Sequence, residues 1–285
     1  MDSGRAIAEA IFANEADPAF RRRALWIGEV LGERFRKTPF RLLDVGCGRG
    51  FYLPLYAALG ACATGIELDA EARRWAEERA RTTGVSILAA RAERLPFPDA
   101  SFDAVVMSEI LEHLERPAEA LVEAHRVLAP GGILLVTVPN EDYPLAWDPI
   151  NFVLERTTGR PFRTGLLAGI WANHARLYDT TMLRDSVKAA GFTVTDLFTH
   201  TTRCFPFVHN IVYGLGKPLL ENGLLPATWA KSAERSTGRL TGINPVRLGI
   251  GLIHWADRRN ADRAKPGERA QNICLAALKP EEKAE

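Results

Sequence analysis

Between residues 41 and 138 short apolar runs alternate with helical stretches, and that alternation limits the fold more than any other feature. Leu42, Leu43 and Val45 form an apolar run ending in glycines, and Phe51 to Leu59 follows with helical spacing, closed by Gly60. The order recurs with Cys62 to Ile66 as strand, Ala70 to Arg81 as charged helix and Ser86 to Ala89 as strand. After the LPFPDAS turn come a strand over Asp103 to Met107 and a helix over Pro117 to Leu128. Past the Pro130-Gly131-Gly132 turn, Ile133 to Val138 is a fifth strand. Parallel neighbours need crossovers, so strands separated by helices predict an open, mostly parallel α/β sheet with helices on both faces.

Beyond Pro139 the period fades, and residues 141–176 are rich in Trp, Pro and Arg, as expected of a substrate-facing segment. Thr181 to Ala190 reads as a helix closed by Gly191, Phe192 to Leu197 as a sixth strand and Ile273 to Leu278 as a seventh. Residues 198–270 between them far exceed an ordinary loop, which predicts a helical insertion before the last strand. Inside it, Asn244 and Pro245 suit the N-cap and first position of a helix through Arg259, apolar from Val246 to Ala256 and basic beyond. The expected organisation is an N-terminal helical flap over 1–40, a core over 41–197 and 271–285, and the insertion over 198–270.

With 36 Lys and Arg against 35 Asp and Glu the net charge is +1, which argues against a protein built to grip duplex nucleic acid. The charge is divided, however: residues 198–270 sum to +6 and the rest to −5. Cys47, Cys62, Cys204 and Cys274 lie too far apart for a zinc motif or disulfide framework and are expected to be buried or inert. The first residues lack a secretory pattern, and no apolar run approaches the roughly 18 to 20 residues that span a bilayer. The cytoplasm is the expected compartment, with the basic, apolar insertion available for peripheral contact with the inner membrane face.

In LLDVGCGRG the glycines are Gly46, Gly48 and Gly50, and Phe51 stands where a dinucleotide site uses its third glycine, so a nicotinamide enzyme is disfavoured. Asp44 beside the loop can accept from a ligand ammonium group, directly or through water. Glu67, at the end of the second strand, can accept from both hydroxyls of a ribose. The Arg21-Arg22-Arg23 run reads as a solvated helix face or part of a flap, with Phe20 and Trp26 as pocket walls, and His125 as a surface or packing residue.

Taken together, the glycine loop, Glu67, the LPFPD turn, SFDAVVMSEILEHL, RVLAPGGILLVTVPN and the isolated last strand resemble the class I S-adenosylmethionine-dependent methyltransferases. Within them the chain is similar to the small-molecule branch and its ubiquinone-biosynthesis-type O-methyltransferases. The resemblance covers 41–140 and, more weakly, 174–197 and 271–279. It implies a Rossmann-like seven-stranded sheet and S-adenosyl-L-methionine as cofactor. By the same resemblance Asp44, Gly46, Gly48 and Gly50 surround the methionine part, Glu67 holds the ribose and Leu68 packs on adenine, with Ala92, Glu93 and Ser108 completing the set. Arg91 stands where the family usually has an Asp, which leaves the adenine amino contact to Glu93 or a backbone group.

A sulfonium methyl is already electrophilic, so the protein's work is to align the acceptor and manage one proton. Glu109, Glu112 and His113 form E-x-x-E-H after the fourth strand, and His174 and Tyr178 follow in NHARLYD. A similar E-x-x-E-H binds a divalent metal in ubiquinone-biosynthesis O-methyltransferases and in enzymes acting on the terminal 2′-hydroxyl of small RNAs, the latter adding a later His. Two readings stay open. Glu109, Glu112, His113 and His174 hold a divalent metal that lowers the pKa of a substrate hydroxyl, or His113 or His174 acts as general base without one. The expected reaction is O-methylation of an apolar or aromatic small molecule. Methylation of a lipid or lipid-linked glycan at the membrane surface is the alternative, followed by RNA 2′-O-methylation and by a non-catalytic cofactor-binding protein.

Overall fold

The structure is a computed structural model that describes residues 3–36, 38–165, 167–207, 244–265 and 267–281. Seven strands form one sheet in the order β3-β2-β1-β4-β5-β7-β6. They are β1 (Phe40–Val45), β2 (Ala61–Ile66), β3 (Ser86–Leu88), β4 (Phe102–Ser108), β5 (Leu128–Pro139), β6 (Thr193–His200) and β7 (Asn272–Leu278). β1 to β5 run parallel, and β7 lies antiparallel between β5 and β6. The expected sheet is therefore the one observed.

Crossover helices α3 (Leu53–Ala58), α4 (Ala70–Thr83) and α5 (Pro117–Val127) connect the parallel strands, and α7 (Thr180–Ala189) precedes β6. One core forms on each face. Leu43, Val105, Leu134 and Leu275 pack with α5 and α7 residues on one side, and Leu42, Val106 and Leu135 pack with Leu53 and Tyr56 on the other. The N-terminal helices α1 (Gly4–Ile11) and α2 (Pro18–Arg34) join this second core through Phe12, Phe20 and Leu31. Their axes approach closely at glycines: a Cβ on Gly4 would come within 1.9 Å of the Gly28 carbonyl oxygen. Asp17 starts α2 by accepting from the amides of Ala19 and Phe20 at 2.9 and 3.2 Å.

Three boundaries differ from expectation. β5 begins at Leu128, which pairs with Phe102, so Pro130-Gly131-Gly132 is a bulge inside the strand and not a turn before it. β6 runs on to His200, three residues into the expected insertion. A helix, α6 (Pro149–Thr158), also forms in the segment without period, capped by Asp148, which accepts from the Asn151 amide at 3.2 Å, and closed by left-handed Gly159. Tyr143, Trp147 and Trp171 form a third, small core beside it.

Of the insertion expected over 198–270, residues 208–243 lie outside the described residues. Its last helix, α8 (Pro245–Asp257), has Asn244 as N-cap, accepting from the Arg247 amide at 3.0 Å, and ends two residues before Arg259. Among the described residues no helix is long and apolar enough to cross a membrane.

Candidate functional site

The strand order reverses between β1 and β4, and at such a switch point an open α/β sheet leaves a crevice beyond its carboxyl ends. The loop after β1 lies there. The amides of Gly46 and Cys47 both donate to the Ile66 carbonyl at 2.9 Å, which ties the loop to the end of β2. Gly46, Gly48 and Gly50 have φ of +73°, +54° and +73°. A Cβ on Gly46 would sit 2.7 Å from the Ile110 side chain, whereas one on Gly48 would meet nothing within 4 Å. The loop is thus closed on its protein side and open at Gly48.

Glu67 lies beside that opening. Its Oε2 accepts from the Gly48 amide at 2.9 Å and its Oε1 from the Asp69 amide at 2.8 Å, which aims the carboxylate across the loop. Leu68 is 56% exposed, an apolar side chain without cover at the same edge. Asp44 is buried, and its Oδ2 has no hydrogen-bond partner. Burial pushes its carboxyl up to about 7, against the Tyr56 hydroxyl and with help from the Glu67 charge. An orphaned carboxylate oxygen, an open glycine and an uncovered leucine suit, in turn, an ammonium group, a backbone approach and a flat ring. These residues fit S-adenosylmethionine.

At the neighbouring strand ends, Ala92 is buried and Glu93 pairs with Arg91 at 3.4 Å. Ser108, the last residue of β4, contacts the Thr137 hydroxyl at 2.9 Å and the Tyr52 hydroxyl at 3.3 Å.

Past Ser108 the chain turns through Glu109 at φ +56°. Glu109 does not join the other expected metal ligands. Its Oε1 accepts from Thr137 Oγ1 and Asn272 Nδ2, each at 3.0 Å, and its Oε2 pairs with Arg23 at 3.3 Å. Glu112, His113 and His174 do converge, each offering a donor atom within 4.8 Å of the others. The two imidazoles stand 4.7 Å apart edge to face, and Glu112 Oε1 lies 3.9 Å from Nε2 of each. His113 Nδ1 is 2.9 Å from the Asn173 carbonyl oxygen, which can only accept, so Nδ1 carries the hydrogen and Nε2 keeps its lone pair in the neutral ring.

The later segment is fastened to this turn by backbone bonds. The Ala175 amide donates to the Glu112 carbonyl at 2.9 Å, and Arg176 donates to the Leu114 carbonyl at 2.7 Å. Glu112 is fully buried and neither carboxylate oxygen has a hydrogen-bond partner. Burial, reinforced by the Glu109 charge, pushes its carboxyl well above the ordinary range.

The arginine run is not a solvated face. Arg23 is buried, donating to Asn272 Oδ1 beside its pairing with Glu109, and Arg22 is nearly buried against Asp257. Phe20 stacks on Tyr52 at 4.9 Å, behind the glycine loop, while Trp26 packs on Phe198 at 5.8 Å. His125 packs edge-on against Phe192. Cys47 and Cys274 are buried, Cys62 is exposed, and all four cysteines are free. Sequence reasoning missed Arg23, Tyr52, Thr137 and Asn272. A hydroxyl directly after the glycine loop was a usable signal for Tyr52; the other three meet Glu109 only through pairing of distant elements.

Residues 43–136 match a family model described as a methyltransferase domain. Over 196 residues the chain is 33% identical to the demethylmenaquinone methyltransferase of Thermus thermophilus, covering 63% of this chain and 83% of that protein. Identity to a ubiquinone biosynthesis O-methyltransferase of Caulobacter is 34% over 131 residues, 40% of this chain and 52% of the relative. The chain spans about half the length, or less, of curated relatives it matches from Mycolicibacterium smegmatis and Mycobacterium tuberculosis, 52% and 38%. Among solved structures the 4+2 cyclase SpnF superposes with a TM-score of 0.54 at 22% identity, covering 96% of this chain and 88% of SpnF. That likeness shows the fold alone, and a neighbour named for a cyclisation illustrates why a reaction has to be argued from site residues.

Proposed function

Because the chain belongs to the S-adenosylmethionine-dependent methyltransferases, we propose that it methylates an oxygen of an apolar or aromatic small molecule, with Glu112, His113 and His174 managing the acceptor's proton. The observation that carries this reading is the convergence of those three side chains just past β4, at the sheet edge that holds the glycine loop.

Asp44 takes the ammonium group of the cofactor with its orphaned oxygen, directly or through water. Each carboxylate oxygen of Glu67 already accepts one amide and has a further lone pair, so the side chain can take ribose hydroxyls without releasing the loop. Leu68 packs on the adenine face, and Ala92 and Glu93 border its amino edge. The bound cofactor supplies an electrophilic methyl group on a sulfonium. His113, with Nδ1 fixed on Asn173, presents Nε2 as the proton acceptor, and the buried Glu112 carboxyl group lies 3.9 Å away. His174 lies at the same distance from that carboxyl group and can receive the proton in turn.

The same three donors also suit a divalent cation, whose charge would lower the pKa of an acceptor hydroxyl. Glu109, tied to Arg23, Thr137 and Asn272, stays outside that set.

Methyl-labelled cofactor offered with phenols, quinones, lipid extracts and small RNAs should label an acceptor of the phenol or quinone class. His113→Ala and His174→Ala should lower kcat by about 10²- to 10⁴-fold with cofactor affinity unchanged. Transfer to no acceptor, with the cofactor bound, would refute the proposal, and full turnover in excess EDTA would remove the cation from it.

A further inference from the structure

We propose that the outward face of α8 docks on a membrane surface carrying anionic headgroups. The proposal is independent of the reaction the site performs.

Among the described residues, α8 is held from one side. Ile250 and Asp257 face inward, Arg22 of α2 donates to the Asp257 carboxylate at 2.8 Å, and the His254 ring bonds the Glu15 carbonyl at 2.7 Å. On the opposite side Leu248, Leu252 and Trp255, spaced four and three residues apart, fall on one stripe and are 60%, 58% and 48% exposed. A surface helix ordinarily turns such a stripe toward the core. This one turns a charged and hydrogen-bonded face inward and leaves an apolar face exposed among the described residues. With 13 residues α8 is about 20 Å long, too short to cross a bilayer but long enough to lie on one.

The surroundings of the stripe are basic. Arg258 and Arg259 are exposed at its C-terminal end, without an acidic partner among the described residues, and the Arg259 guanidinium lies 3.7 Å over the Trp255 ring. On the inward side of the helix, Arg21 and Arg247 line a cavity of about 630 Å³ with Glu9, Asn14, Ile250 and His254. Arg21 Nε is buried there without a hydrogen-bond partner. An apolar stripe flanked by guanidinium groups is complementary to an acyl boundary beneath phosphate headgroups.

The charge pattern also separates a bilayer from a second copy of the chain. A two-fold pairing of α8 with its copy brings like charges together in either sense. Antiparallel helices would set Arg258 and Arg259 against Arg247 of the copy, and parallel helices would set each arginine against itself. An anionic bilayer has no such conflict.

The test is co-sedimentation of the full chain with phosphatidylcholine vesicles, with and without phosphatidylglycerol, at low salt. The chain should pellet with the phosphatidylglycerol vesicles, and added salt should release it. Combined Leu248→Ser, Leu252→Ser and Trp255→Ser should weaken that binding about tenfold or more, as should Arg258→Glu with Arg259→Glu. Both variants should keep the parent's melting temperature and cofactor affinity, which separates lost docking from lost folding. Failure of the parent chain to bind anionic vesicles would overturn the proposal, as would stripe variants that bind as well as the parent. A dimer that becomes a monomer on stripe substitution would assign this face to a second copy and likewise overturn it.

Discussion

Asp44 holds a carboxyl group under the glycine loop with Glu67 as its charged neighbour. Its folded pKa, pushed up from 3.8 to about 7, lies above the unfolded value. Between those values the folded state keeps a proton that the unfolded chain has released. The stabilisation is therefore complete below the unfolded value and is lost as pH rises through about 7. The whole shift corresponds to at most about 4 kcal/mol. Without cofactor, Asp44→Asn should gain melting temperature over the parent progressively from acid to neutral pH, and an advantage that does not change with pH would contradict this account. At the other end of the cofactor, Glu67→Ala should weaken binding tenfold or more by calorimetry, because a carboxylate fixed by two amides is lost. Glu93→Ala should cost far less, and equal losses would reverse the ranking. These groups were legible because they sit within one loop of their strand ends. The diversion of Glu109 was not, since Arg23, Thr137 and Asn272 reach it from three separate parts of the chain.

Between elements, Arg22 joins α2 to α8. Arg22 donates to the Asp257 carboxylate at 2.8 Å, to the Asp257 carbonyl at 3.0 Å and to the Ala261 carbonyl at 2.9 Å. With the arginine 10% and the aspartate 7% exposed, Arg22→Ala removes the ion pair of a buried carboxylate that keeps, among the described residues, only the Asn260 side-chain amide at 3.1 Å as donor, a loss of about 1–3 kcal/mol. Proteolysis within 244–265 should then accelerate before global unfolding, and unchanged cleavage would show that other contacts hold α8. Element boundaries were readable where capping chemistry met a clear period. Asn244-Pro245 predicted α8 because an apolar run follows it, whereas Asp148-Pro149 does the same chemistry for α6 in a segment whose apolar residues keep no helical register. Pro130-Gly131-Gly132 has the composition of a turn, and only pairing of Leu128 with Phe102 makes it a bulge.

For the molecule as a whole, stability concentrates at the middle of the sheet. Valines 105 and 106 of β4 and leucines 134 and 135 of β5 are fully buried, alternately on its two faces. Their amides should exchange with solvent only through global opening, while those of α8, exposed along one side, should exchange sooner. Equal protection in both would contradict that gradient. The division of charge between residues 198–270 and the rest was legible as a count, but its meaning needed the orientation of α8, which a count does not contain.

The antiparallel strand has a consequence in time. β5 is bordered on one side by β7, and β6 reaches the sheet only through β7. A ribosome has therefore released both β5 and β6 before either finds its final neighbour, and Glu109 waits 163 residues for Asn272. A chain interrupted before that point would hold Glu109 through Arg23 and Thr137 but not through Asn272. Translation thus completes the binding half of the crevice early and adds one support of the reactive turn only with β7.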